Sequence, residues 1–489
     1  MAHTFPFAVI EESVVTHDGT TYALATTEQP GDYQLVVDGD HAGLSGETGA
    51  DGILHAPLSA ENARALRQKL SWLRPATLGL QTSAGFGDRL GIATPGHVWA
   101  VRGTGVAPIF AQQSVRENTR TGRSPQQVVD DAMWGVFQTG WREPWGADAD
   151  HLKTVDDIEP FVKADYSFYT IDPGEHVDDL AETDTQETLL LKCAALPWAD
   201  LQTSLQDIEK LYLKSFHLGA VTLTFDQHTL YKALAKYGDA VAHTARMTQR
   251  LQELSGSHPF EMEMSVDETG TTTTLLEHFY IASELKRLNV PFVSLAPRFV
   301  GRFEKGVGYV GNIQELDQNI AGHASIMSYF STSYKLSLHT GSDKFEVYPL
   351  AMKHTHGHVH LKTAGTSYLE ALHLLASIDS ALFRQIWDFS RSHYELDRRT
   401  YHVSASLEQT VPAAELTDEQ LPELFNQFAA RQVLHVTFGS VLDTFGIQLQ
   451  QILRANLKAY QTYIQKHFDK HLAPFQTSNS GRVYPFIKN

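Results

Sequence analysis

The chain has 489 residues, 42% of them hydrophobic and 20% charged, and a net charge of −18. This is the balance of a soluble globular protein, long enough for one elaborated barrel or two to three ordinary domains. The acidity argues against a nucleic-acid partner and against an anionic membrane surface, both of which attract basic faces. A single cysteine, Cys193, excludes an intramolecular disulfide and a thiolate metal cage. Its neighbours Leu190, Leu191, Ala194 and Ala195 mark it as a core residue. Residues 1–6 lack the layout of a signal peptide, and no apolar stretch is long enough to span a bilayer, so a cytoplasmic protein is expected.

Residues 1–60 read as a β-rich prelude, with strands at 7–10 and 33–37 separated by turn clusters. Ser59 is a suitable N-cap for a helix over 59–73, with Glu61 in its first turn. From about 75 to 375, strand-like runs alternate with helical patterns. The runs fall at 76–82, 107–111, 149–153, 168–172, 260–266, 292–296, 336–339 and 358–361. Apolar residues at helical spacing mark 125–139, 201–216, 239–254 and 278–288. Such alternation predicts a mostly parallel sheet wrapped by helices.

Most of these runs end in ionisable residues and a turn. Chemistry at the carboxyl ends of many successive strands marks a TIM-like (β/α) barrel, whereas a doubly wound sheet gathers it at one or two switch points. After 375 the pattern is chiefly helical. A capping box at 417–420 precedes Leu421, Leu424 and Phe428, and 446–471 reads as one long amphipathic helix. The expected division is a β-rich region over 1–60, a catalytic barrel over 61–375 and a helical extension over 376–489. The additions either cap the barrel or form the subunit interface of a homo-oligomer.

The run ending in His339 puts Lys335, Ser337 and His339 on one pleat face, ahead of a turn with Asp343 and Lys344. It reads either as a strand aimed into an active site or as a half-exposed strand with a surface hairpin. Asp172, Glu175, Glu263, Asp267 and Glu268 also lie on or just after predicted strands. Carboxylates on an inward face bind metal or act as acid and base; on an outer face they are solvated. Among 24 histidines, His151, His176 and His339 fall at strand ends. Neutral imidazole suits Zn, Ni, Co or Mn better than Mg. His354, His356, His358 and His360 alternate, which on a strand puts them on one face as a minor metal candidate; Gly357 favours an exposed hairpin. Arg89, Lys153, Arg298, Arg302, Lys305, Lys344 and Lys362 are the basic groups that could converge on an anion. No dinucleotide fingerprint, Walker loop or serine-hydrolase elbow is present.

Several segments together resemble the tagaturonate epimerase family. They are Gly85-Phe86-Gly87-Asp88-Arg89 through His97, Asp130-Asp131-Ala132-Met133-Trp134-Gly135, Ala147-Asp148-Ala149-Asp150-His151-Leu152-Lys153 and Thr170-Ile171-Asp172-Pro173-Gly174-Glu175-His176. Further on come Ser294-Leu295-Ala296-Pro297-Arg298, His339-Thr340-Gly341-Ser342-Asp343-Lys344 and Lys362-Thr363-Ala364-Gly365-Thr366. The resemblance implies interconversion of D-tagaturonate and D-fructuronate with a divalent metal cation. Some relatives act on the neutral pair tagatose and fructose.

The two uronates differ at the hydroxyl-bearing carbon β to the ketone. That carbon is not α to a carbonyl, so direct proton abstraction there has no acidifying group. Retro-aldol cleavage, rotation of the aldehyde and re-addition invert it, and a metal stabilises the enediolate. On strand-end position, Asp172, His176 and His339 are expected at the metal. Glu175 and Glu268 are the expected acid/base pair, and Lys153 the oxyanion partner. Asp88, Arg89, Arg298, Lys344 and Lys362 are expected to bind the sugar acid. The alternatives are a D-tagatose/D-fructose epimerase and a non-catalytic sugar-acid binding protein.

Overall fold

The computed structural model describes residues 5–219, 221–363 and 365–476. The first four residues of the segment read against a signal peptide, and Ala364 of the turn after Lys362, lie outside the described residues. Five short strands come first: β1 (Val15–His17), β2 (Thr20–Thr26), β3 (Tyr33–Asp38), β4 (Glu47–Thr48) and β5 (Leu54–Ala56). They form an antiparallel sheet in the order β1-β2-β3-β5-β4. Ser59 caps the helix Ala60–Lys69, accepting from the Asn62 N–H.

Eight parallel strands then close into a barrel. They are β6 (Ser83–Gly85), β7 (Ala107–Ser114), β8 (Gly146–Leu152), β9 (Phe168–Ile171), β12 (Glu261–Ser265), β13 (Phe292–Ala296), β14 (Lys335–Leu338) and β15 (Val359–Lys362). A hairpin of β10 (Ser215–Leu218) and β11 (Val221–Thr224) interrupts the series. Closure comes from β15 pairing with β6 and β12 with β9. The expected barrel is therefore present, flanked by the small sheet and by C-terminal helices.

The alternation in the strands explains what faces inward. In β12, Met262 and Met264 pack outward, while Glu263 and Ser265 meet partners inside. β14 and β15 repeat this, with Leu336, Leu338, Val359 and Leu361 in the outer core and Lys335, His360 and Lys362 inside. A separate apolar cluster of Leu78, Ala107, Ile109 and Phe168 makes the floor. Above it, Lys335 Nζ lies 2.8 Å from Ser83 Oγ, and burial pushes this lysine down to about 8. The barrel interior thus becomes more polar toward the carboxyl ends of its strands, where barrels carry their chemistry.

Some elements differ from expectation. Residues 76–82 are not a strand, because Gly79 turns the chain at φ +62°; the first barrel strand begins at Ser83. The helix expected over 239–254 starts earlier, spanning Gln227–Ser255 with Asp226 as N-cap. The 201–216 helix shrinks to Leu205–Tyr212, capped by Ser204. The alternating histidines do not share a strand face. His354 closes the helix Tyr348–Thr355, His356 adopts left-handed backbone, and His360 alone lies in β15. The long C-terminal helix breaks at Asn456 into Phe438–Ala455 and Leu457–Leu472. The capping box at 417–420 forms, but it opens a 3₁₀ turn, and the next helix begins at Phe428. Among the described residues no helix is long and apolar enough to cross a membrane.

Candidate active site

The carboxyl end of the barrel holds a buried charge network centred on Lys362. Its Nζ lies 2.6 Å from Asp150, 2.9 Å from Asp148 and 3.1 Å from Glu263. The lysine is 3% exposed and Asp148 and Glu263 are fully buried, so water screens none of these charges. Buried ions persist only when paired and hydrogen-bonded. Thr170 Oγ1 and Gln112 Nε2 complete the shell by donating to Asp148 at 2.9 and 3.1 Å. Burial opposes the charge on Lys362, but the three carboxylates raise its pKa well above that of a free lysine. Asp148 is pushed up to about 6 by burial, which Lys362 offsets only in part. Burial would raise Asp150 as well, yet Lys362, His151 and His339 hold it below its ordinary range.

Two histidines stand above this lysine with ring centroids 5.1 Å apart: His151 at the end of β8 and His339 just after β14. His339 Nε2 lies 2.5 Å from Glu263, and its Nδ1 lies 3.0 Å from Asp267 and 3.2 Å from Ser265 Oγ. His151 Nδ1 lies 3.0 Å from Asp172, and its Nε2 lies 3.8 Å from Asp150. Burial disfavours a charged ring at His151, but Asp150, Asp172 and Glu268 overcome this and raise it to about 10. His339 is also raised, Asp267 and Glu263 outweighing burial and the repulsion of Lys362. His151, Asp267 and His339 each offer one ligand atom, all within 4.8 Å of one another; His151, Asp172 and Glu268 form a second such group. Such a set suits a divalent cation, because its oxygens are anionic and each imidazole is backed by a carboxylate.

The network opens into a cavity of about 310 Å³ lined by Asp267, Glu268, Arg298, Arg302, Lys305 and His339. Tyr401, His402, Val403 and Ser404, from beyond the barrel, close its far wall. Glu268 lies 3.4 Å from Arg116 and 3.8 Å from Lys305, whose Nζ donates to Thr340 Oγ1 at 2.9 Å. Burial would raise Glu268, but His151, Lys305 and Arg116 keep it ionised.

The residues singled out in the sequence divide here. His339, Asp172, Glu268, Arg298 and Lys362 converge on the network or its cavity, and Lys153 lies at its edge, 3.6 Å from Asp172. The structure does not bring His176 to them: its Nδ1 meets Asp239 at 2.7 Å and its ring stacks on His243 at 3.9 Å. Glu175 is exposed. Asp88 accepts the Leu90, Gly91 and Ala93 N–H groups and so shapes its own turn. Arg89 is buried against Glu117 at 2.6 Å and lies over the Phe438 ring. Lys344 is fully buried, its Nζ turned onto the carbonyls of Ser342, Glu304 and Val307; burial pushes it down to about 7. Among the residues not foreseen, Asp148 and Asp150 carry a signal in β8, alternate carboxylates ahead of His151. Arg116 carries one too, as an ionisable residue just after the strand run that begins at Ala107, whereas Tyr401 carries none, since it meets the site only through the fold.

The family described as tagaturonate epimerase matches residues 11–475. The tagaturonate/fructuronate epimerase of Thermotoga maritima is 40% identical over 481 residues, covering 95% of this chain and 96% of that protein. The native crystal structure of the fructuronate-tagaturonate epimerase from Cohnella laeviribosi has a TM-score of 0.90 at 35% identity and 96% coverage of both chains. A glycerol complex of the same protein gives 0.90 at 36% identity, again with 96% coverage of both. The chain therefore belongs to the tagaturonate epimerase family, and it is an isomerase of the epimerase class.

Proposed function

We propose that this protein interconverts D-tagaturonate and D-fructuronate with a bound divalent cation, by retro-aldol cleavage and re-addition. The observation that carries the reading is the pair His151 and His339, each with one ring nitrogen held by a carboxylate and both beside Asp267 at the cavity floor. His151 Nε2, His339 Nδ1 and Asp267 would hold the cation, with Asp172 and Glu263 orienting the rings. When bound, the cation would act as a Lewis acid on the ketone and the charge that develops there.

We assign Glu268, kept ionised by Arg116 and Lys305, to take the proton of the β-hydroxyl and return it on re-addition. Lys153 beside Asp172 is assigned to the other face. Arg298 and Lys305, both lining the cavity, are assigned to the sugar carboxylate. Tyr401 and its neighbours narrow the opening, which keeps the released aldehyde next to its partner. We take 1–60, 61–375 and 376–489 as the working units, and place the protein in the cytoplasm on its single, buried cysteine.

The test is NMR of metal-stripped protein with D-fructuronate in deuterated water, with Zn, Ni, Co or Mn restored singly. Metal-dependent tagaturonate with no deuterium at the inverted carbon is expected. Deuterium at that carbon rejects the retro-aldol route. Turnover of fructose equal to that of fructuronate favours the neutral-sugar reading, and binding without turnover favours a binding protein.

A further inference from the structure

We propose that the C-terminal helix Leu457–Leu472 carries a second divalent-cation site, built from His467, His471 and Asp343 and separate from the barrel centre. The two histidines are four residues apart on one helix, which places both rings on the same face. Their ring centroids are 4.4 Å apart, and Asp343, from the turn after His339, sits against them. One ligand atom from each of the three lies within 4.8 Å of the other two, and all three residues are buried.

The hydrogen bonds already present set the tautomers such a site needs. His467 Nδ1 lies 3.0 Å from Glu370, and His471 Nδ1 lies 3.0 Å from the His467 carbonyl. A carboxylate or carbonyl behind the far nitrogen is the support that metal-binding histidines use, and it leaves both Nε2 atoms as lone-pair donors. His467 is 7% exposed, and its Nε2 is buried without a hydrogen-bond partner. An imidazole nitrogen in that state is costly unless a ligand or water meets it. The Arg431 guanidinium beside Asp343 holds it as a carboxylate.

Arg431 takes Asp343 Oδ2 at 2.8 Å, and Oδ1 lies 3.9 Å from His471 Nε2. One contact must be exchanged, because the Asp343 N–H now donates to His471 Nε2 at 2.9 Å. A tetrahedral site with zinc-type bond lengths separates its ligand atoms by about 3.3 Å, so each side chain moves by a fraction of an ångström. Asp343 and His467 also line a cavity of about 600 Å³, which gives an entry path and room for water as the remaining ligand. Two imidazoles and one carboxylate select Zn, Co or Ni over Ca or Mg. Such an ion would pin the last helix to the turn that follows His339, so it would act on the position of that histidine and not on the substrate.

The test is metal content and Co(II) absorption of the full chain. Wild-type protein should retain one equivalent of zinc more per chain than His467→Gln after the same dialysis. The His151→Ala/His339→Ala variant, lacking two ligands of the barrel site, should still bind one equivalent of Co(II) with visible absorption. Adding His467→Gln to that variant should abolish the band. Full metal content in His467→Gln, or no band in the double variant, overturns the proposal. If His467→Gln fails to fold, the double variant decides alone, since it leaves the C-terminal residues untouched. Loss of epimerase activity in any variant does not enter the readout.

Discussion

His339 Nε2 and Glu263 Oε1 stand 2.5 Å apart inside the barrel, both residues buried. This contact fixes the imidazole plane and turns Nδ1 toward Asp267 at the cavity. Glu263 also lies 3.1 Å from Lys362, so one carboxylate links the histidine to the lysine at the centre of the network. Orientation of His339 therefore depends on Glu263 and, through it, on Lys362.

Lys362→Met should strongly destabilise the protein. It leaves Asp148, Asp150 and Glu263 buried without the ammonium that all three share, and only His151 and His339 remain beside them. Breaking a buried pair from one side costs about 3–5 kcal/mol. Urea denaturation of the metal-stripped protein reads this directly, and a loss below about 1 kcal/mol would show that water reaches the network.

Glu268→Gln should lower kcat by about 10²–10⁴ while KM changes little, as for loss of a general base. Glu175→Gln should stay near wild type, because Glu175 is exposed outside the cavity. Steady-state kinetics on both variants separates the two carboxylates, and the opposite ranking would move the proton transfer to Glu175.

Arg298→Gln should raise KM for the uronate, since Arg298 lines the cavity. Lys344→Met should instead lower stability at unchanged KM. Its Nζ satisfies three backbone carbonyls that would be stranded in the dry core, at about 1–3 kcal/mol for a buried unsatisfied group. Paired kinetic and melting data test this; a KM effect at Lys344 without loss of stability would put its ammonium on the substrate.

The metal-stripped protein should lose stability between about pH 6.5 and pH 10. His151 binds its proton more tightly folded than unfolded, because Asp150, Asp172 and Glu268 overcome burial and raise it to about 10. Its contribution is complete below the unfolded value of about 6.5 and is lost as pH rises through the folded one. Denaturation midpoints over this range should fall in wild type and fall less in His151→Asn. Equal slopes in both would show that the imidazole is not charged in the folded state.

The sequence by itself determined the barrel. Alternating residues in 260–266 and 335–339, and ionisable groups after successive strands, report a pleat with one polar face, and that is a local property. It also marked His339, Asp172, Glu268 and Lys362, each of which ends or follows a barrel strand. Which strand-end residues meet was decided by closure. β15 pairs with β6 and β12 with β9, so Lys362 faces Asp148, Asp150 and Glu263 across long sequence separations. His176 and Lys344 occupy comparable positions in the sequence, but a turn carries one to Asp239 and another draws the second among carbonyls. Tyr401 and the pair His467 and His471 show the same limit from the other side. They belong to the C-terminal extension, and only packing of those helices on the barrel gives them neighbours at the site or at Asp343. Short-range periodicity fixes which face a side chain takes, whereas long-range contact fixes what it finds there.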